Sequence, residues 1–151
     1  MEWLNGPLVW AIDAWHQPLY LFPRECPRIV IWQLAGSTAD DWHAWSDGSA
    51  ARMIAFIEED WADVVRASFI FRYELPDYGF QPLGDAGMWV SNSMAKPLAV
   101  EMIADLPAAL KGQEVELRVV RDLGFLRPVW SSTLHASGIR LRNASSWSSR
   151  R

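Results

Sequence analysis

The hydrophobic residues of this chain fall into short runs cut by prolines, glycines and acidic clusters, and most of the runs read as strands. Leu8 to Ile12 is apolar and bounded by Asn5-Gly6-Pro7 and by Asp13, which predicts a buried strand. Asp13 suits a helix N-cap, so Ala14 to Phe22 is expected to form a helical turn or two before Pro23 stops it. Arg28 to Leu34 is rich in β-branched and aromatic residues and predicts a second strand. Gly36-Ser37-Thr38 opens a polar helix in which Ser37 and Asp40 resemble a capping box.

Arg52 to Glu58 alternates weakly as a strand, and the acids Glu58-Glu59-Asp60 begin a short helix, Glu59 to Arg66, where they complement the helix dipole. Ser68 to Leu75 is the strongest strand by composition, and Pro76-Asp77-Tyr78-Gly79 is a turn. Short strands are expected at Phe80 to Leu83, Met88 to Ser91, Pro97 to Ile103 and Glu114 to Val120, with a helix from Asp105 to Lys111 ending at Gly112. Leu123, Leu126, Val129, Trp130 and Leu134 suggest a C-terminal helix from Arg127 or Pro128 to Ala136, followed by a last strand, Ile139 to Asn143. Strands separated by short helices and tight turns predict an α+β fold, a mixed and mostly antiparallel sheet flanked by short helices. One domain spans 1–144, and the serine- and arginine-rich 145–151 reads as a disordered tail.

Composition narrows the function classes. At 151 residues the chain is one domain by size and can bury roughly two-thirds of its unfolded surface. A net charge of −4, with two lysines and twelve arginines that mostly stand alone, disfavours a nucleic acid partner. No stretch approaches the ~20 apolar residues of a membrane span, and Glu2 stands where a secretory leader carries positive charge. The single cysteine cannot form an internal disulfide, which fits a cytoplasmic location. His16, His43 and His135 show no paired spacing, so no metal site is expected. Ten tryptophans are an excess; Trp10, Trp32, Trp61, Trp89 and Trp130 lie in apolar runs and read as core, while Trp42 and Trp45 clamp a loop or rim a groove.

Candidate chemistry concentrates in Pro23-Arg24-Glu25-Cys26-Pro27-Arg28. The prolines stiffen this turn, so Arg24 and Arg28 are placed to chelate a phosphate or carboxylate. Their charge could also lower the pKa of Cys26 and make it reactive. The plainer reading pairs the arginines with Asp13 or Glu25 and makes Cys26 a small buried filler. Arg140 and Arg142, two apart on the expected last strand, form a second candidate anion patch or simply charge an edge. The usual phosphate-loop, dinucleotide, nucleophile-elbow and zinc-protease motifs are missing.

The strings Val-Trp-Ala-Ile-Asp, Pro-x-Tyr and Pro-Arg-Glu-Cys-Pro-Arg, with Tyr73-Glu74-Leu75-Pro76, Trp89-Val90-Ser91 and Ile139-Arg140-Leu141-Arg142-Asn143, resemble a bacterial family of unassigned function over about 7–144. Members of that family begin earlier, with a strand carrying a His-x-Ser-like stretch, so the resemblance implies an earlier start or a shortened member. A more distant likeness is to ADP-ribosyltransferase-like folds, with their first strand lacking here. It implies NAD as cofactor, and it places Met88 where those folds carry a catalytic Glu or Gln. The leading expectation is a cleft lined by Trp10, Asp13, Tyr20, Arg24 and Arg28, with Trp89 and Ser91 closing the far side and Cys26 as a further candidate. It would bind a small anionic or nucleotide-like ligand without evident catalysis or cofactor. The alternatives are a divergent ADP-ribosyltransferase-like enzyme and a protein-protein interaction module, and the sequence leaves the oligomeric state open.

Overall fold

The computed structural model describes residues 7–147. In chain order the strands are β1 (Val9–Ile12), β2 (Arg28–Trp32), β3 (Met53–Glu58), β4 (Ile70–Glu74), β5 (Gln81–Pro82), β6 (Met88–Ser91), β7 (Ala99–Ile103), β8 (Val115–Val120) and β9 (His135–Ile139). The helices are α1 (Ala39–Ser46), α2 (Glu59–Ala67) and α3 (Leu106–Gly112), with 3-10 segments at Gln17–Tyr20, Leu123–Ser131 and Leu141–Asn143. The expected α+β class is what the chain adopts. Its strands form three sheets, ordered β8-β3-β2-β9, β1-β6-β5 and β4-β7. All pairings are antiparallel except β3 with β8.

The four-stranded sheet is the centre of the molecule. β2 and β3 are buried at every position, which explains why they read as unbroken apolar runs rather than as alternating ones. Alternation still sorts their side chains between two cores. Val30, Trp32, Met53, Ala55 and Ile57 face α2, α3 and the 19–26 segment, against Val65, Leu106, Leu110, Leu19, Phe22 and Cys26. Ile29, Ile31, Ile54 and Phe56 face the opposite way, onto Leu123, Leu126, Val129 and Leu134 with Trp42 and Trp45 of α1. No helix among the described residues is long and apolar enough to cross a membrane.

Several local expectations shift for identifiable reasons. The cap of α1 is Thr38, whose Oγ1 accepts from the Asp41 amide at 3.1 Å, one residue beyond the expected Ser37. Ser37 is engaged elsewhere, accepting from the Leu34 amide and donating to the Thr133 carbonyl. The expected C-terminal helix is instead the 3-10 run 123–131, which has ended before β9 begins at His135. The last strand lies at His135–Ile139 instead of the expected Ile139 to Asn143, because Arg140 takes a left-handed φ of 55° and turns the chain into the 3-10 segment 141–143. Residues 145–147 are held rather than free: the buried Glu58 carboxylate accepts from the Ser145 amide and hydroxyl and from the Leu123 amide, and Arg127 donates to the Trp147 carbonyl. Residues 148–151 of the expected tail lie outside the described residues. Of the tryptophans assigned to the core, Trp32 is fully buried and Trp61 and Trp89 are half-buried, but Trp10 and Trp130 are exposed.

Candidate functional site

The turn at 23–27 is closed by the Cys26 amide donating to the Pro23 carbonyl at 3.0 Å. It delivers the chain into β2, where Arg28 pairs in register with Ile139 of β9. The start of β2 therefore lies beside the end of β9. Asn143 fastens the two: its Nδ2 donates to the Glu25 carbonyl oxygen at 2.7 Å and to the Glu25 carboxylate at 3.2 Å. This tie occupies the acid nearest the arginines and brings together two stretches more than a hundred residues apart.

The result is a hollow of about 810 Å³ lined by Arg24, Arg28, Arg140 and Arg142 together with Tyr20, Phe22 and Phe71. Among the described residues no carboxylate lines it. The two stretches that the sequence offered as separate anion candidates line one hollow.

Its arginines are not equivalent. Arg28 is buried; its Nε and Nη2 donate to the Leu19 carbonyl at 3.1 and 2.9 Å, and its Nη1 donates to the Cys26 carbonyl at 3.0 Å. The guanidinium also lies over the rings of Tyr20 and Phe22, 5.6 and 5.3 Å from their centroids. Burial, with the like charge of Arg140 adding to it, pulls its pKa down to about 10, so it stays charged at neutral pH. Arg28 pairs with neither Asp13 nor Glu25, the partners expected for it: it is bonded to backbone oxygens and supplies a fixed positive charge to the hollow. Arg24, Arg140 and Arg142 form no ion pair among the described residues.

Cys26 is not activated. Burial raises its thiol to about 11, outweighing the lowering effect of Arg28, and the buried Sγ donates weakly to the Pro27 carbonyl. It is the small filler of the plainer reading and not a reactive thiol.

A second hollow of about 940 Å³ adjoins the first, sharing Tyr20, Ile70 and Phe71 with it. Trp10, Tyr73, Phe80 and Trp89 supply further aromatic walls, and Asp13, Glu74, Asp77 and Glu101 line it with carboxylates. The single expected cleft is thus divided: Arg24 and Arg28 line the first hollow, whereas Trp10, Asp13 and Trp89 line this one, Trp10 with more than half its surface open. Ser91 does not. It is buried, and its hydroxyl accepts from the Ser93 amide at 3.1 Å, so it fastens the turn after β6 instead of facing either hollow.

Asp13 has a specific partner. Its Oδ1 accepts from both the amide and the Nδ1 of His16, each at 2.8 Å, which closes the turn after β1 and begins the 3-10 segment that carries Tyr20. His16 in turn lies 5.4 Å from Trp32, on which His135 stacks at 4.4 Å. Two histidines with no sequence relationship thus share one indole.

Burial holds His135 below the ordinary value of 6.5; Asp85 opposes this and His16 reinforces it. A folded pKa below the unfolded one means that the unfolded chain binds more protons in the interval between them. The stability this neutral ring contributes is therefore complete above pH 6.5 and diminishes as pH falls from there through the folded value. We expect the melting temperature of His135→Phe, which keeps a ring on Trp32, to fall less than that of the wild type between about pH 7 and pH 5. Parallel melting curves over that range check it, and identical slopes would contradict it.

Sequence reasoning missed Phe22 and Phe71 as walls of the arginine hollow and Asn143 as its fastener. The only advance signal was that Asn143 stands next to Arg142. Comparison with curated proteins and with solved structures gives no significant match. A family model does match: DUF6886, a family of unknown function, aligns with residues 2–144. The chain belongs to that family.

Proposed function

We propose that the protein binds a small ligand with an anionic group at one end and a planar, hydrogen-bond-donating group at the other, a nucleotide-like molecule. One observation carries this reading: four arginines from two remote stretches, the buried Arg28 and the ion-pair-free Arg24, Arg140 and Arg142, line a hollow that, among the described residues, no carboxylate lines, and that hollow adjoins an aromatic one along Tyr20 and Phe71. Guanidinium forks match phosphate and carboxylate oxygens. Trp10, Tyr20 and Trp89 offer stacking faces, and Asp13 and Asp77 offer acceptors for amino or hydroxyl donors.

The test is a thermal-shift series with adenosine monophosphate, adenosine and inorganic phosphate. The nucleotide is expected to raise the melting temperature more than either half. At a hundredfold excess over Kd the gain is ~2.7 kcal/mol, roughly 5–10 °C for a chain of this size. No shift at millimolar nucleotide would overturn the proposal.

A second reading is a divergent ADP-ribosyltransferase-like enzyme. It is favoured by the short helical segment that carries Tyr20 to the junction of the two hollows. Against it stands Met88, whose Sδ lies 3.8 Å from the Tyr20 hydroxyl where such an enzyme would hold a carboxylate or amide. A thioether can neither orient a ribose hydroxyl nor balance a developing cation. Turnover of NAD, lost in Tyr20→Ala, would favour this reading over simple binding.

A further inference from the structure

The β4-β7 ribbon stands apart from the central sheet and leaves one of its faces bare. Its register pairs Phe71 with Met102 and Tyr73 with Val100, and alternation puts Phe69 and Leu98 on the same side. These six side chains are each between 54 and 66 % exposed. Phe69 and Phe71 already meet edge to face, with ring centroids 5.8 Å apart. The other face of the ribbon is conventional: Ile70 and Ile103 join the core, and Arg72 donates to Glu101 at 2.7 Å.

We propose that this bare face is the contact between two copies of the chain, related by a twofold axis. Monomers rarely expose apolar patches beyond a few hundred Å². Three aromatic side chains of roughly 150–250 Å² each and three smaller aliphatic ones, all a little over half exposed, leave on the order of 600 Å² open per copy, about 1,200 Å² in a pair, the lower end of a specific interface. The face carries no charge, because the ribbon's ionic residues lie on the opposite side. A differently charged partner has nothing here to recognise, whereas an identical apolar face matches it in every feature. A twofold contact uses the same patch on both copies and closes after two, as the commonest homo-oligomers do. The evidence for this contact does not use the anion-binding reading, but the two places adjoin, because Phe71 and Tyr73 also line the hollows and a second copy would stand at their rim.

Sedimentation velocity on the intact chain, from about 1 to 100 µM, tests the proposal. The expected mass at the upper end is twice the 17.2 kDa of one chain. Val100→Lys and Met102→Lys, both at exposed strand positions, are expected to return it to 17.2 kDa with unchanged melting temperature. A wild type that stays monomeric at the highest concentration would overturn the proposal. Folded variants that remain dimeric, or a mass beyond two copies, would overturn it equally. Should the variants not fold, hydrogen exchange of the wild type decides: amides of β4 and β7 are expected to slow as concentration rises, and exchange independent of concentration would contradict the contact.

Discussion

Replacing Arg28 by alanine is expected to lower the melting temperature by about 10 °C or more, the largest effect of any single change at the arginine hollow. Arg28 reaches the carbonyls of Leu19 and Cys26 from a buried position, and its three bonds join the 3-10 segment to the turn before β2. Alanine leaves two carbonyls without partners in a site that water reaches poorly. It also removes the cation that Tyr20 and Phe22 flank. Breaking a buried charged network of this kind costs about 3–5 kcal/mol. Lysine should recover only part of this, since one ammonium cannot reproduce the fork that meets both carbonyls. Arg24→Ala provides the contrast: Arg24 is exposed and has no ion pair among the described residues, so its loss should move the melting temperature by no more than about 1 °C. Calorimetry on the three variants checks the order. Equal losses for Arg28 and Arg24 would contradict the division between a structural guanidinium and a ligand-facing one.

The second large effect is expected at Gly87. Its φ is +71°, and a methyl group there would strike the His16 ring and lie 2.7 Å from Asp13 Oδ2. The same residue's carbonyl accepts from the Asp13 amide at 2.9 Å, so the backbone cannot simply withdraw. Gly87→Ala should therefore combine a left-handed-backbone cost of about 1 kcal/mol with displacement of the Asp13-His16 pair, about 3 kcal/mol together. Gly84 isolates the steric part. It has nearly the same φ, +72°, and a methyl group added there would meet nothing within 4 Å. Gly84→Ala is expected to cost only the backbone share, about 1 kcal/mol. Chemical denaturation of both variants measures the difference, and equal losses would mean that the Asp13-His16 turn yields without penalty.

These two sites also mark where the sequence was legible and where it was not. β2 and β3 announced themselves as apolar runs because they are covered on both faces. The helix at 59–67 was visible in its leading acids, and α3 in the closing Gly112. The 123–131 segment misled because Leu123, Leu126 and Val129 recur at intervals of three. That spacing belongs to a 3-10 helix, and Pro128 inside it fits the same reading. Trp10 sits in an apolar run but on a strand of the small three-stranded sheet, where its face opens into a hollow instead of a core.

The site itself was half legible. The stiff turn at 23–27 and the pair Arg140 and Arg142 were each visible as anion candidates. Their union was not, because it depends on the β2-β9 register and on the Asn143-Glu25 tie between remote segments. Nor does any glycine or asparagine mark the left-handed turn at Arg140 that ends the strand alternation. Such a conformation in a non-glycine residue is strained, and strain of this kind gathers at functional positions.

The measurement closest to the central claim is the dissociation constant of adenosine monophosphate, by isothermal titration, for the wild type and for the Arg24→Ala, Arg142→Ala double variant. Each lost charge-assisted contact is worth about 1.5–3 kcal/mol, so affinity should fall at least ~100-fold while the melting temperature without ligand stays put. Undiminished affinity in the double variant, or a wild type that binds neither this nucleotide nor any other phosphate-bearing probe, would contradict the account.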